Sequence, residues 1–216
     1  MLIIRTLDVQ GFAPAFYAMR HPLESYAKSD SYKDDDGKFI IGKNDMDLSM
    51  RLQKAGTEHC KHLRMVMVWV DVTAPFYWWK EADTYRNGVE KLSCSTMHTL
   101  MRRPLSKEDF DLSCVNEDFI KYVLDSLNTS IDAFKCEKED LIYKKEIWRS
   151  VIQALPESFM QKRTMMMSYA ALRNIVRQRE GHKLVEWKTF IDWARTLPYA
   201  NELIFDEERV KENEEV

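Results

Sequence analysis

The chain has 216 residues, of which 45% are hydrophobic and 31% are charged, and its formal net charge is -3. This length and this content of apolar residues predict one domain of mixed architecture with a full core. The nearly balanced charge argues against binding to nucleic-acid polymers or acidic membranes, and no apolar run reaches the roughly 18 residues that a membrane span requires. We therefore expect a cytoplasmic protein that is not associated with a membrane.

The first 41 residues predict a strand, a short helix and a tight turn. Apolar and polar residues roughly alternate over residues 2–9, which is typical of a strand. The glycine that follows admits a short helix over residues 12–19. The acidic turn at Asp36 and Gly37 then leads into a short strand over residues 39–41.

A helix is predicted next, because Asn44 or Asp45 can cap its start and Gly56 is suited to its end. The apolar side of this helix is predicted to carry Leu48, Leu52 and Ala55. After it, the almost continuous apolar run MVMVWVDV at residues 65–72 is typical of a strand that is covered on both faces. We predict that this run forms the central strand.

The remaining elements are predicted to be helices. One begins at Pro75, and a second is capped by Asn116. The inward side chains of this second helix are predicted to be Phe119, Ile120, Val123, Leu124 and Leu127. A third helix, with Leu141, Trp148, Val151, Ile152 and Leu155 inward, ends at Pro156, and a last amphipathic helix starts at Leu184. The class is therefore α+β, with a small, mostly antiparallel sheet covered by helices.

A further helix, starting near Ser168, has an arginine on its apolar side. The apolar stripe of this helix consists of Leu172, Ile175 and Val176. Arg179 falls on the same side, seven residues after the first of them, whereas Arg173 and Arg177 are predicted to point away. Since an unpaired guanidinium is costly to bury, Arg179 is expected to meet a carboxylate, a subunit boundary or an anionic ligand. The alternative is a structural salt bridge or a side chain that extends to solvent.

A second group of polar residues lies in the segment SCSTMHTLMRRP. Ser95 and His98 supply a hydroxyl and an imidazole shortly before Arg102. Hydroxyl groups and arginines together can bind a phosphate. A polar helix cap is the alternative interpretation.

No metal site is predicted. His59 and His62 have a spacing that a helix can direct at one metal ion, but no third ligand is evident. The four cysteines are scattered without CxxC pairing, which favours reduced thiols. No Ser/His/Asp triad, P-loop or GxGxxG fingerprint is present.

Four segments of the chain resemble the flavin-dependent thymidylate synthase family across roughly residues 45–190. The segment AGTEHCKHLRMVMVWVDV resembles the family's Gly-His-rich turn before its central strand. The segment SCSTMH resembles the serine-rich end of the family's signature motif. The segment LPESFMQKRTMMMSYAALRNIVRQRE resembles the family's motif helix, and LVEWK resembles the element that follows this helix in the family. Arg86 alone stands near the place of the family's Arg-His-Arg core, while Met97 and His98 replace an arginine and a tyrosine.

The resemblance implies site residues and an activity. It implies catalytic residues Ser95 and His98, substrate-binding residues Arg179 and Arg86, and cofactor-binding residues Ser168, Asn174 and His62. Arg102 is added to the substrate-binding residues from the phosphate-binding pattern of SCSTMHTLMRRP. It also implies a homotetramer that binds dUMP and FAD at a site shared between subunits. The reaction would be reductive methylation of dUMP to dTMP with methylenetetrahydrofolate and NADPH.

Two further expectations follow from the resemblance. Residues 1–205 would form a single synthase-like domain with an acidic tail at 206–216, and MRHPLESYAKSDS and WWKEADTY look like a phage- and gut-bacterium-like branch of the family. Two alternatives to thymidylate synthesis stay open. The chain could be a degenerate homologue that binds a partner as a phage-type modulator, or an enzyme for a different C5 modification of a pyrimidine nucleotide.

Overall fold

The computed structural model describes residues 2–206, which form six strands and nine α-helices joined by turns. The strands are β1 (Ile3–Gln10), β2 (Tyr32–Lys33), β3 (Phe39–Ile40), β4 (Met67–Pro75), β5 (Val89–Ser93) and β6 (Met160–Ser168). The helices are α1 (Phe12–Met19), α2 (Lys43–Ala55), α3 (Phe76–Ala82), α4 (Thr96–Thr99), α5 (Glu117–Cys136), α6 (Leu141–Ala154), α7 (Tyr169–Arg179), α8 (Val185–Arg195) and α9 (Ala200–Leu203). The predicted α+β class is confirmed, with a small antiparallel sheet flanked by helices.

The main sheet has the strand order β1-β4-β6-β5, and β2 pairs with β3 in a separate hairpin. The predicted central strand is confirmed as β4, where Val68, Val70 and Val72 have no exposed surface. The other central strand, β6, was not predicted. Its sequence MQKRTMMMS contains two cations within an apolar segment, which obscures the alternation that identifies a strand.

The contacts between residues divide the described chain into two compact units. The first unit contains residues 2–3, 72–84 and 92–164, and the second contains residues 4–71, 85–91 and 165–206. The expectation of a single domain over residues 1–205 stays a prediction. Residues 207–216 of the predicted acidic tail lie outside the described residues.

The first unit is built around the packing of α5 against α6. Its buried apolar cluster consists of Leu100, Leu105, Phe110, Ile120, Leu127, Ile131 and Val151. The predicted cap of α5 is confirmed, since the Asn116 side chain accepts hydrogen bonds from the N–H groups of Asp118 and Phe119. Two predicted inward residues are exposed instead, Phe119 at 55% and Leu141 at 73%.

The second unit contains α1, α2, α7, α8 and α9. The prediction of α1 is confirmed, and its start requires Gly11, because a Cβ at this position would lie 2.2 Å from the carbonyl oxygen of Met65. The apolar face of α8 is also confirmed, with Trp187, Phe190 and Ala194 buried. These residues contribute to the apolar core of the unit, together with others such as Phe16 and Leu63.

The prediction for α2 was wrong about its start and its buried side. The helix begins at Lys43, where the Asp30 carboxylate accepts the N–H groups of Asn44 and Asp45. Its buried residues are Asp45, Met46, Ser49 and Gln53, instead of Leu48, Leu52 and Ala55. Polar groups provided by other segments pair with this face, and a periodicity based on apolar residues could not detect them.

Asp45 is the centre of this buried polar pairing. Its carboxylate accepts hydrogen bonds from Arg20 at 2.7 Å and from the hydroxyl groups of Ser29 and Ser31 at 2.6 Å each. Burial by itself would raise the pKa of Asp45, but these hydrogen bonds outweigh it and lower the pKa. The interaction ties the loop after α1 to α2.

No helix within residues 2–206 combines the length and the hydropathy that crossing a bilayer requires. All four cysteines are free thiols, and Cys60 is the buried one. The same described residues contain no group of three His, Cys, Asp or Glu side chains that could hold a metal ion.

Candidate functional site

The second unit contains a cavity of about 720 Å³. This volume lies in the range that is usual for small-molecule sites. The charged residues that line the cavity are Arg64, Arg173, Arg177 and Glu90. Its uncharged polar lining includes Gln53, Thr57, Asn87, Ser168 and Asn174. The excess of arginines over carboxylates in the lining favours an anionic ligand.

The start of α7 forms one wall of the cavity, and a glycine turn supports it. The hydroxyl of Ser168 caps the helix by accepting the N–H of Ala171 at 3.1 Å, which confirms the predicted helix start. The N–H of Ser168 donates to the carbonyl oxygen of Gly88 at 3.2 Å, and Gly88 has a φ of 71° that favours glycine. Together with Ala170, these small residues leave open space beside the polar groups.

Arg173 is the most buried cation of the lining, with 7% of its surface exposed. It donates to the side-chain oxygen of Gln53 and lies 2.5 Å from the Asp206 carboxylate. Burial lowers the pKa of Arg173, and the charge of Asp206 opposes this shift. A guanidinium stays protonated at any physiological pH, so the cavity keeps this positive charge.

The prediction that Arg173 points away from the core was wrong. The stripe formed by Leu172, Ile175 and Val176 is buried as predicted, but the buried arc of α7 is wider. It also includes Tyr169, which has no exposed surface. The wider arc brings Arg173 inside the unit.

A chain of polar contacts runs from the cavity wall to a buried histidine. The side-chain amide of Gln53 donates to the hydroxyl of Ser49 at 3.3 Å, and this hydroxyl lies 2.7 Å from His62 Nε2. Burial and the charge of Arg173 lower the pKa of His62 to about 4. His62 is therefore neutral at neutral pH, and within the described chain its Nδ1 atom has no hydrogen-bond partner.

Arg179, the first functional candidate of the sequence, lies among aromatic rings. Its Nε donates to the hydroxyl of Tyr85 at 2.8 Å, and its guanidinium lies 4.6 Å from the centre of the Trp187 ring. Such a position stabilises a cation that is partly removed from water. Contact of Arg179 with an anionic ligand stays a prediction.

The predicted phosphate-binding residues of SCSTMHTLMRRP belong to the first unit. Ser95 is the N-cap residue of α4, and its carbonyl oxygen accepts the N–H of Thr99 at 3.1 Å, but its side chain makes no capping hydrogen bond. His98 and Arg102 are exposed. The neighbouring Arg103 forms two hydrogen bonds with the Asp109 carboxylate.

Two of the eight predicted site residues, Ser168 and Asn174, line the cavity in the described part of the chain. The other six lie outside its lining, namely Ser95, His98, Arg102, Arg86, Arg179 and His62. Arg86 is exposed in the turn before β5, and His62 is only 4% exposed. The roles of all eight residues stay predictions.

The sequence interpretation did not identify Arg173, Arg177 and Gln53 as residues of one site. A signal for two of them was present, because Arg173 and Arg177 are four residues apart on α7 and flank Asn174. Gln53 gave no such signal, since its position depends on the packing of two helices that are distant in sequence.

The sequence matches no protein-family model and no curated protein sequence. Its fold is similar to a crystal structure of thymidylate synthase X (ThyX) from Helicobacter pylori with FAD and dUMP, with a TM-score of 0.68 at 16% identity, over 95% of this chain and 98% of that chain. A second structure of flavin-dependent thymidylate synthase ThyX from Helicobacter pylori, complexed with FAD and dUMP, has a TM-score of 0.68 at 18% identity, over 94% of this chain and 98% of that chain. This similarity confirms the predicted fold. At this sequence identity it does not establish the activity of the chain.

Proposed function

We propose that this thymidylate synthase-like protein binds a pyrimidine deoxynucleotide, with dUMP as the first candidate, in the cavity of the second unit. The observation that supports the proposal is the lining itself. Arg173 and Arg177 provide cationic donors, and Ser168 and Asn174 lie beside them on the same helix. The similar structures from Helicobacter pylori contain dUMP and FAD, which makes a nucleotide the first ligand to test.

The lining fits the two chemical parts of a nucleotide. A phosphate group requires charge-assisted donors, which the arginines supply. A pyrimidine ring requires a flat space with groups that donate and accept hydrogen bonds at its edge. The small residues Gly88, Ala170 and Ala171 leave such space, and the side-chain amide of Asn174 both donates and accepts.

FAD also fits the residues of this cavity in chemical type, because a flavin combines a flat ring with anionic phosphates. Ser168 and Asn174 would hold the ring edge, and Arg177 would neutralise a phosphate. When bound and reduced, FAD supplies hydride, while methylenetetrahydrofolate supplies the one-carbon unit for conversion of dUMP to dTMP. The proposed roles of the chain are to orient the two ligands and to exclude water.

Calorimetric titration with dUMP, deoxyuridine and dCMP tests the nucleotide proposal. We expect dUMP to bind at least about tenfold more tightly than deoxyuridine, because deoxyuridine lacks the phosphate and loses charge-assisted hydrogen bonds. Preference for dCMP would favour a different C5 modification. The absence of binding by all three would overturn the proposal and favour the partner-binding alternative.

A matched pair of variants on α7 locates the binding site. Asn174→Ala changes a lining residue, whereas Gln178→Ala changes its exposed hydrogen-bond partner, which lies outside the lining. We expect Asn174→Ala to weaken dUMP binding more than Gln178→Ala, which removes only a hydrogen bond to Asn174. Equal effects of the two variants would place the ligand elsewhere.

Flavin binding is tested separately by the visible absorbance of the purified protein after addition of FAD and desalting. Flavin bands that are retained by the wild-type chain and are weaker in Asn174→Ala would support a flavoenzyme. A colourless protein that still binds dUMP would exclude the FAD-dependent reaction, and the proposal of a nucleotide-binding site would stand.

A further inference from the structure

Asp206 contacts both arginines on the α7 wall of the cavity at once. One of its carboxylate oxygens lies 2.5 Å from Arg173 Nη2, and the other contacts Arg177 Nη2. The two arginines are four residues apart on α7, and both line the cavity. A carboxylate of the chain therefore bridges two cations at the wall of a ligand-sized space.

The same pair of guanidinium groups suits an oxyanion ligand. Guanidinium groups donate to carboxylate and phosphate oxygens in a similar planar arrangement. The Asp206 carboxylate, which is not itself among the lining residues, occupies N–H donors of Arg173 and Arg177 that an anionic ligand in the cavity would need. A ligand anion and Asp206 would thus compete for the same N–H donors.

Burial of Arg173 requires an anion at this place. The side-chain oxygen of Gln53 accepts one of its N–H groups, but a neutral oxygen does not balance the charge. Burial already lowers the pKa of Arg173, which shows that the surroundings disfavour its charged form. Either Asp206 or a bound anion can meet this requirement.

The contact of Asp206 with exposed Arg177 is easily displaced, whereas its contact with Arg173, whose side chain is only 9% exposed, is given up when another anion takes its place. The side chain of Asp206 is 36% exposed and that of Arg177 is 55% exposed. Ion pairs between groups with this exposure contribute little to stability, because water screens them and both side chains lose freedom. Asp206 has a φ of 60°, in the left-handed region that aspartate and asparagine tolerate better than most residues.

We propose that Arg173 and Arg177 form an oxyanion-binding site that Asp206 closes in the ligand-free protein. A phosphate- or carboxylate-bearing ligand enters by displacing the Asp206 carboxylate, which lowers the affinity for every anion by the same factor. This inference extends the proposed function, because it requires the ligand to carry an anionic group. It does not depend on which nucleotide binds.

The test compares the binding of inorganic phosphate to the wild-type chain and to Asp206→Asn by calorimetry. Asparagine keeps the size of the side chain and tolerates positive φ, so the substitution removes the charge and preserves the backbone. We expect Asp206→Asn to bind phosphate at least about fivefold more tightly, because phosphate then no longer has to displace a carboxylate from Arg173 and Arg177. Unchanged or weaker binding would overturn the proposal.

Two controls separate the local effect from changes in net charge and folding. Asp192→Asn removes the same charge from an exposed position on α8, outside the cavity lining, and should leave phosphate affinity unchanged. Arg177→Gln, at an exposed arginine, should abolish the gain when combined with Asp206→Asn. An equal gain in the Asp206 and Asp192 variants would indicate a general charge effect and sink the proposal.

Titration with dUMP distinguishes this inference from the proposed function. If Asp206→Asn binds phosphate more tightly but no nucleotide binds, the Asp206 inference stands and the nucleotide proposal fails. If dUMP binds and the affinities for phosphate and dUMP are the same in both proteins, the nucleotide proposal stands and the Asp206 inference fails.

Discussion

The two units of the chain bury different kinds of side chains. Within residues 2–206, the buried polar side chains of the second unit are Arg20, Asp45, Ser49, Gln53, His62, Asp71, Ser168, Arg173, Glu186 and Glu202. In the described part of the first unit, Gln161 is the one buried polar side chain. Both units thus have buried apolar residues, but the second unit also buries many polar groups, three of which, Gln53, Ser168 and Arg173, line its cavity.

This difference separates stability from function. Apolar packing stabilises a unit without requiring specific partners. A buried polar network is costly whenever one member lacks its partner, and such networks are common at functional sites. The cavity lies in the unit that contains most of the buried polar side chains. We therefore propose the ligand site in this unit and assign the first unit a structural role.

The largest expected effect is the loss of the Asp45 carboxylate. Asp45→Ala leaves Arg20 buried without its anion, and we expect the free energy of unfolding to fall by about 3–5 kcal/mol, or folding to fail. Urea denaturation followed by circular dichroism measures the loss. The control is Asp47→Ala, at an exposed position of the same helix, which should change stability by no more than about 0.5 kcal/mol.

A double variant sharpens this comparison. If pairing explains the effect, Arg20→Met combined with Asp45→Leu should recover part of the lost stability, because no unpaired charge remains buried. Equal losses in the single and double variants would mean that packing around Asp45 is what matters, and the contrast between the two units would be weaker.

In the first unit, we expect Ile131→Ala to lower the free energy of unfolding by about 3 kcal/mol, because it opens a cavity in the apolar cluster. Phe119→Ala removes a larger side chain that is 55% exposed and should cost less than about 1 kcal/mol. A larger loss for Phe119 than for Ile131, measured by thermal or urea unfolding, would contradict the assignment of the core.

The third effect depends on pH and comes from His62. The pKa of His62 is about 4 in the folded chain, below the unfolded value of 6.5. Because the unfolded chain binds the proton more tightly, the free energy of unfolding is highest above the unfolded pKa of His62. It decreases as the pH falls from 6.5 towards 4. The loss should amount to at most about 3 kcal/mol.

His62→Gln provides the comparison, because glutamine keeps a polar group near Ser49 but does not titrate. Urea denaturation across this pH range should give a flatter stability profile for the variant than for the wild-type chain. Parallel profiles would show that His62 does not titrate as its burial indicates, and acid sensitivity would then have to come from the carboxylates.

Local sequence patterns were sufficient where neighbours in the chain decide the structure. The cap at Asn116, the stripe of α7 and the start of α1 after Gly11 follow from hydrogen bonding, helical spacing and backbone freedom within a few residues. The strand β6 and the polar face of α2 could not be found in this way. Their polar residues are compatible with burial only because distant segments supply partners.

The candidate site shows the same division. Ser168 and Asn174 came from the family resemblance and line the cavity, while Arg179 was selected for its place on an apolar stripe and lies among Tyr85 and Trp187. The stripe showed only that a cation was partly buried. Which groups surround a buried cation depends on the packing of several elements, and helical spacing does not contain that information.

By itself, the sequence determined the fold class, most of the helices, the central strand β4 and the absence of the common catalytic motifs, because these depend on composition and local spacing. Only the tertiary structure decided which polar groups meet. It brings Gln53 of α2 and Asp206, which follows α9, to Arg173 of α7. A charge is stable in the interior only with a partner, and long-range packing alone determines where that partner is.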